Sequence, residues 1–214
     1  VFTKELWIIF KKIDFPINFV EIGSEIVEET DEYIIKSQNV NHNISSLAFS
    51  IEEKKKPRFL REKAIELGVP VGPAFGKLHN GEEVEIDGKI IKPEQVLGEP
   101  RKDIKITYSG SSRPCEEMIE FAKDSTCLIH ESTFAKEDSA NAEEHAHSTS
   151  VEAAYIAKQS DSKELILTHI STRYGESYSK IILKEAKEIF ENTELAYDLW
   201  TKIIRWYNEY TNYN

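Results

Sequence analysis

The chain has 214 residues, of which 40% are hydrophobic and 30% charged, and its formal net charge is −11 at pH 7. This composition indicates a soluble globular protein that can bury one good core or two small ones. It excludes a bilayer-spanning helix, because no apolar run approaches the roughly 18 residues that such a helix needs. The negative charge also disfavours nucleic-acid binding, unless a local basic patch outweighs it at short range.

The opening segment and the cysteines bear on where the protein works. The basic residues of the first segment are scattered among aromatic residues, so no signal peptide is visible. Cys115 and Cys127 are the only cysteines, and they fit neither a paired CxxC zinc site nor a disulfide framework. We therefore expect a protein of the reducing cytoplasm.

The first part of the chain predicts one helix followed by strands. Large apolar residues at helical spacing favour a short amphipathic helix over residues 2–13. The alternating runs that follow predict strands at residues 17–22, 32–40 and 46–52.

Residues 53–100 differ in composition, because they hold five of the seven prolines and show little hydrophobic periodicity. This predicts a protruding arm or a long loop, and not a packed layer. Residues 54–77 contain seven basic residues and two glutamates, which gives a local charge of +5. On charge alone, a patch for nucleic acid and a solvated loop with a chance basic run are equal alternatives. The basic residues are Lys54, Lys55, Lys56, Arg58, Arg61, Lys63 and Lys77.

The rest of the chain alternates strands with helices. Apolar runs predict strands at residues 105–110, 125–132 and 164–170, and a strand-like segment at residues 194–207. Helices are predicted over residues 114–123, 149–160 and 177–190. The second of these helices opens with a capping box from Thr149 to Glu152. Alternation of this kind predicts an α/β domain with helices covering a sheet.

Polar residues gather where the apolar strands end, which is where sites form in α/β sheets. His42, Glu131 and His169 each follow or close a predicted strand, and His147 precedes the capped helix. A lone histidine at a strand end is more often structural, but several at one sheet edge favour metal binding, because neutral imidazole is a strong zinc ligand. Glu131 with His147 also suits proton transfer to a leaving alkoxide.

Several ordered strings resemble one known family. They are VNHNISS (40–46), VGPAFGKLHNGE (71–82), IIKPEQVLGEPRK (90–102), YSGSSRP (108–114), HESTF (130–134), HST (147–149) and THISTRY (168–174). Together they resemble ribonuclease Z, the zinc-dependent endoribonuclease that trims the 3′ ends of precursor tRNA. The similarity runs over nearly the whole chain.

The resemblance implies a fold, a substrate and roles for residues. The fold would be α/β, a metallo-β-lactamase αββα sandwich seen largely in its C-terminal half, with a core of residues 1–52 and 101–214 and a tRNA-binding arm of residues 53–100. His42 and His169 match ligands of two zinc ions. Glu131 and His147 match the pair that protonates the leaving 3′ oxygen. The implied partners are precursor tRNA and a second subunit, as a homodimer or as a partner half, with no membrane. The arm residues that match the family's tRNA-binding exosite are Lys54, Lys55, Lys56, Arg58, Arg61, Gly72, Pro73 and Lys77.

Two departures from the family pattern limit what the chain can do alone. The HxHxDH motif, which supplies four zinc ligands, is absent from this sequence, and Ser111 stands where the family has the aspartate that bridges the two zinc ions. Two histidines do not make a tight zinc site, so we expect weak or no Zn²⁺ binding and no cleavage by this chain alone. The valine start suggests a fragment or a split gene, whereas Ser111 suggests a degenerate paralogue or an inactivated variant.

Overall fold

The computed structural model describes residues 19–99 and 104–204. The helix predicted over residues 2–13 therefore lies outside the described residues. Within them, no helix is long and apolar enough to cross a lipid bilayer.

The described residues form nine strands and six α-helices. The strands are β1 (Glu25–Glu29), β2 (Tyr33–Val40), β3 (Ser46–Glu53), β4 (Val84–Ile86), β5 (Lys89–Ile91), β6 (Lys105–Tyr108), β7 (Cys127–Glu131), β8 (Leu165–Thr168) and β9 (Thr193–Leu195). The helices are α1 (Arg61–Glu66), α2 (Pro73–His79), α3 (Glu116–Phe121), α4 (Ser139–Glu144), α5 (Ser150–Gln159) and α6 (Glu176–Lys187).

One seven-stranded sheet carries the fold, in the order β1-β2-β3-β6-β7-β8-β9. The ladders from β1 to β6 are antiparallel, and those from β6 to β9 are parallel. A parallel connection needs a long crossover, and α3, α5 and α6 each lie between two of the parallel strands in sequence. The predicted alternation of strands and helices is therefore confirmed for this half of the sheet.

The main core lies between one face of the sheet and these helices. Met118, Ile156 and Ile182 come from α3, α5 and α6, and they pack with Leu128 and Leu165 of the sheet. All five are fully buried. Helix α5 begins as predicted, because the Thr149 side chain accepts the N–H of the residue three positions later and the capping box closes.

The opposite face of the sheet exposes apolar side chains. Phe49 and Tyr108 are opposite each other in the ladder between β3 and β6 and therefore share a face. Their exposed fractions are 36% and 46%, and that of Ile51, two residues along β3 from Phe49, is 43%. Within residues 19–99 and 104–204, part of this face therefore lacks the apolar cover that the helices give to the other face.

Two sequence predictions at the ends of the sheet are wrong. Residues 19–22 form no strand, and the edge strand is β1, three residues further on. All five residues of β1 are exposed and three are glutamates, so β1 lacks the half-buried alternation that marks a strand in sequence. The closing strand is only β9, and residues 196–204 are irregular. Residues 205–207 of that predicted strand lie outside the described residues.

Residues 59–97, within the region predicted to be a protruding arm or a long loop, fold into a small unit with its own core, which the composition did not predict. Helices α1 and α2 and the β4–β5 hairpin bury an apolar cluster around Ala64, Leu78 and Val96. Each element is three to seven residues long, which is too short to show hydrophobic periodicity in sequence.

Candidate active site

The polar residues predicted to meet at one edge of the sheet do so. Strands β6, β7 and β8 are parallel, and β2 runs in the same direction because two antiparallel ladders separate it from β6. The carboxyl ends of all four strands therefore lie at one edge. His42 follows β2, Glu131 ends β7 and His169 follows β8.

Glu131 is the centre of the hydrogen-bond network at this edge. Its side chain is buried, with 1% of the residue exposed. Its Oε1 accepts from the Ser112 N–H at 2.9 Å and from His147 Nδ1 at 2.7 Å. Its Oε2 accepts from the Thr133 hydroxyl at 2.6 Å, the Thr133 N–H at 3.2 Å and the Ser148 N–H at 3.1 Å. Five donors thus face one carboxylate, which is the environment of an ion and not of a neutral acid.

The net effect of this environment is to keep Glu131 charged. Burial alone would raise the pKa of the Glu131 carboxyl, because the charged form loses its hydration. The hydrogen bonds from Thr133, His147, Ser112 and Ser148 outweigh burial and lower the pKa below its ordinary value. Glu131 is therefore ionised at neutral pH.

Three imidazole rings lie together at this edge, and that of His147 contacts the Glu131 carboxylate. The His147 ring lies 5.0 Å from the His42 ring and 5.3 Å from the His169 ring, centroid to centroid. His42 Nδ1 lies 2.7 Å from the Ala146 carbonyl, which only accepts, so the proton of neutral His42 is on Nδ1. By the same argument His147 carries a proton on the Nδ1 that faces Glu131. Both rings keep Nε2 available for a metal ion or a substrate.

Unusual backbone conformations bring these rings to the edge. His169 has a φ of 58° and Ala146, next to His147, has a φ of 55°. Non-glycine residues in this region are strained and cluster at functional sites. Gly110 has a φ of 62°, and a Cβ there would lie 2.6 Å from the Leu47 carbonyl oxygen. Only glycine fits at this point of the loop that presents Ser111 and Ser112.

Arg113 joins the loops of the site, a role that the sequence did not suggest. Its N–H donates to the Asn41 carbonyl at 2.7 Å, beside His42. Its Nη1 donates to the His147 carbonyl at 2.7 Å. Both Nη atoms also bond the Glu152 carboxylate, at 2.9 and 2.7 Å. The sequence does hold one signal for Arg113. The capping box at the start of α5 includes Glu152, and its carboxylate can accept hydrogen bonds from a neighbouring cation.

A metal ion would find its donors among the imidazoles. Glu131, His147 and His169 each offer an atom within 4.8 Å of the others. Both oxygens of Glu131 are already hydrogen-bonded, however, so coordination by Glu131 would displace existing donors. The geometry favours Glu131 as the group that orients His147, and leaves the imidazole nitrogens as the better ligands.

The remaining predicted site residues lie in two places. Ser111 is on the loop after β6, where its carbonyl accepts from the Ser46 hydroxyl at 2.8 Å. Lys54 and Lys55 pair with the carboxylates of Glu29 and Glu53 at 2.7 and 2.9 Å, which reduces the local positive charge expected from the sequence.

The other basic residues belong to the arm. Lys56 bonds the Asn80 side chain at 2.9 Å. Gly72 and Pro73 form the N-terminus of α2, with Gly72 as its N-cap. Arg58, Arg61 and Lys77 are exposed.

His130 is buried and hydrogen-bonded. Its Nδ1 lies 2.7 Å from the Glu131 carbonyl, and its Nε2 has no partner within the part of the chain that the structure describes. Burial lowers the pKa of the His130 imidazole, so His130 is neutral and structural.

Comparison with known proteins gives a consistent family. The chain is 47% identical to ribonuclease Z of Methanothermobacter thermautotrophicus over 196 residues, which are 92% of this chain and 63% of that protein. It is 41% identical to ribonuclease Z of Methanosarcina mazei over 203 residues, or 92% of this chain and 66% of that protein. The chain thus spans slightly less than two thirds of the length of each of these two curated relatives. No protein-family model matches it.

A solved structure supports the fold. The crystal structure of the short form of human tRNase Z aligns with a TM-score of 0.50 at 20% identity, over 84% of this chain and 46% of that chain. The predicted α/β fold of the metallo-β-lactamase type is confirmed, and the described residues supply one seven-stranded sheet of it with helices on one face. On this likeness and the identity to its curated relatives, the chain belongs to the ribonuclease Z family.

Proposed function

We propose that this chain is the C-terminal part of a zinc-dependent endoribonuclease that cleaves precursor tRNA at its 3′ end. The observation that carries the proposal is the contact of 2.7 Å between His147 Nδ1 and the ionised Glu131, with two further imidazoles beside it. The family relationship supports the substrate class, since the relatives are ribonucleases Z.

Glu131 and His147 are proposed to move the proton that the reaction needs. The Glu131 carboxylate holds the proton on His147 Nδ1 and stabilises the positive charge when Nε2 is protonated as well. A proton on Nε2 can then pass to the leaving 3′ oxygen, which would otherwise depart as an unstable alkoxide. Arg113 donates to the His147 carbonyl at 2.7 Å and holds the backbone there, while the contact with Glu131 orients the ring.

His42 and His169 are proposed to hold one zinc ion each. The free Nε2 of His42 and the exposed position of His169 fit this role. Zinc, when bound, would supply an activated hydroxide and clamp the scissile phosphate. A catalytic zinc site uses at least three protein ligands, so tight binding requires side chains beyond those of this chain.

The arm is proposed to bind the tRNA body. Structured RNA is recognised mostly through its backbone and shape, and exposed cations supply that kind of contact. Arg58, Arg61 and Lys77 are exposed on a unit that has its own core, so the arm can present them rigidly.

We further propose that the working protein contains a second polypeptide part and acts in the cytoplasm. The exposed apolar residues Phe49, Ile51 and Tyr108 support a second sheet packed on this face. That sheet would bring the HxHxDH ligands, either from a partner half or from the same longer chain. A homodimer is a separate expectation from the family.

The alternative is a catalytically silent relative that binds tRNA or a partner. Ser111 favours this alternative, because a neutral hydroxyl cannot supply the charge of a bridging aspartate. The intact network around Glu131 favours the enzyme, since a pure binder has no evident use for an ionised buried carboxylate paired with a histidine.

A reconstitution experiment distinguishes the two functions. The chain is joined to the portion of the M. thermautotrophicus ribonuclease Z that lies outside the match, with Ser111 or with Ser111→Asp, and tested for cleavage of a 3′-extended precursor tRNA with zinc. We expect cleavage by the Ser111→Asp fusion, loss of about two orders of magnitude or more on adding His147→Ala, and none by the chain alone. Binding of the same tRNA without cleavage by either fusion would support the silent relative.

A further inference from the structure

Thr133 lies at the centre of the site without belonging to any predicted set of functional residues. It comes two residues after Glu131, and only 7% of it is exposed. Its hydroxyl oxygen lies 2.6 Å from Glu131 Oε2, 2.7 Å from His169 Nδ1 and 3.3 Å from His147 Nδ1. One hydroxyl therefore touches the proposed proton-transfer pair and a proposed metal ligand.

The hydroxyl of Thr133 has a single proton, and this fixes the direction of its hydrogen bonds. An ionised carboxylate is a stronger acceptor than a neutral imidazole nitrogen, and Glu131 Oε2 is also the nearest acceptor. The proton of Thr133 therefore points to Glu131. Its oxygen then faces His169 Nδ1 with a lone pair, and this short contact requires a proton on that nitrogen.

We propose that Thr133 is a positioning residue that selects the Nδ1–H tautomer of His169 and so leaves its Nε2 free to bind a metal ion. The inference rests on the proposed function in one respect, namely that His169 Nε2 is the atom that binds the metal ion. In water, neutral histidine favours the other tautomer, with the proton on Nε2. In that tautomer the His169 Nε2 carries the proton and has no lone pair to offer a metal ion.

The main chain of Thr133 supports the same arrangement. Its carbonyl accepts the Ser171 N–H at 3.1 Å, which ties the loop after β8 to the end of β7. His169 stands in this loop with a φ of 58°. The backbone thus holds His169 near Thr133, while the hydroxyl decides which nitrogen carries the proton. A second-sphere hydrogen bond of this kind fixes both ring orientation and tautomer in metal sites.

The tautomer can be measured directly on the metal-free chain. Long-range ¹H–¹⁵N correlation spectra of the labelled protein distinguish Nδ1–H from Nε2–H imidazoles, at a pH above the ordinary histidine pKa of about 6.5. His169→Gln identifies the His169 signals by their disappearance. Thr133→Val removes only the hydroxyl at nearly constant volume, and Thr133→Ser keeps the hydroxyl. The His130 signals, whose Nδ1 faces the Glu131 carbonyl at 2.7 Å, serve as an internal control for the fold.

We expect Nδ1–H at His169 in the wild type, a shift of most of the population to Nε2–H in Thr133→Val, and recovery in Thr133→Ser. Retention of Nδ1–H in a folded valine variant would overturn the proposal. If the valine variant does not fold, the wild-type spectrum decides, because Nε2–H at His169 there overturns the proposal and Nδ1–H supports it. None of these readings depends on RNA cleavage, so a failure of the proposed function would appear separately, in the reconstitution experiment.

Discussion

At the scale of single residues, the site depends on one buried charge. Glu131 is ionised because five hydrogen bonds outweigh the cost of burial. The folded state therefore lowers its pKa below the unfolded value of about 4.3. A carboxyl group whose pKa is lowered by folding stabilises the folded state at pH values above its unfolded pKa. That contribution is lost as the pH falls through the lower pKa of the folded state.

Glu131→Gln tests this buried charge. The amide would turn an –NH₂ group toward backbone N–H donors, so we expect a loss of about 1–3 kcal/mol at pH 7. The difference from wild type should shrink as the pH falls below about 4. Urea unfolding between pH 7 and pH 3 measures both effects. Glu144→Gln, on an exposed glutamate, is the matched control and should differ little from wild type at any pH. A Glu131→Gln difference that does not vary with pH would contradict the account.

The sequence predicted which side chains meet, but not what holds them. The edge that His42, Glu131 and His169 share follows from strand order alone, since parallel strands end together. The contacts of Thr133 depend on loop conformations, which leave no mark in side-chain patterns. For Arg113 the sequence signal is the capping box, whose Glu152 it binds. The roles of these residues in catalysis stay predictions.

At the scale of elements, the arm shows where pattern reading fails. Its composition indicated a protruding arm or a long loop and gave no sign of a core, yet α1, α2 and the β4–β5 hairpin enclose Leu78 and Val96 completely. By contrast, helix α5 was predicted from its capping box and begins at Ser150. A cap is a local signal, whereas a core made by short elements depends on contacts between them.

The arm's charges give a prediction about RNA binding. We expect Arg61→Glu with Lys77→Glu to weaken binding of precursor tRNA about tenfold or more and to reduce its salt dependence, because phosphate contacts are lost with their released counterions. Lys123→Glu with Lys158→Glu changes the net charge equally at exposed positions of the main domain and should have a much smaller effect. Filter binding over a range of salt concentrations measures both. Equal effects of the two pairs would argue against an arm-specific contact.

At the scale of the whole molecule, one sheet has helices on one face and exposed apolar side chains on the other. Ile51 is opposite Ile35 on β2 and Ile106 on β6, so these three share the uncovered face. A monomer rarely exposes a contiguous apolar patch of a sheet without using it. This is the physical reason to expect a second layer, independent of any family pattern.

Ile51→Thr tests that second layer. With 43% of Ile51 exposed, the change should alter the stability of the isolated chain by no more than about 1 kcal/mol. Its association with the separately expressed remaining portion of the M. thermautotrophicus relative should weaken about tenfold, or about 1.4 kcal/mol. Ile90→Thr, in strand β5 of the arm hairpin where Ile90 is 60% exposed, is the matched control and should leave association unchanged. Titration calorimetry gives the affinities, and equal losses for both variants would contradict the assignment of this face.

The way the arm leaves the sheet has a consequence for how such proteins vary. Strands β3 and β6 are direct antiparallel neighbours, and the Glu53 N–H still bonds the Ile104 carbonyl at 2.8 Å where the arm departs. At the base of the arm, the Gly98 N–H donates to the Arg58 carbonyl at 2.8 Å. The arm is thus an insertion in what would otherwise be a simple hairpin, and a short turn could replace it. Segments of different length could therefore replace the arm at this junction without altering the site at the carboxyl ends of the strands, which lies at the opposite edge of the sheet.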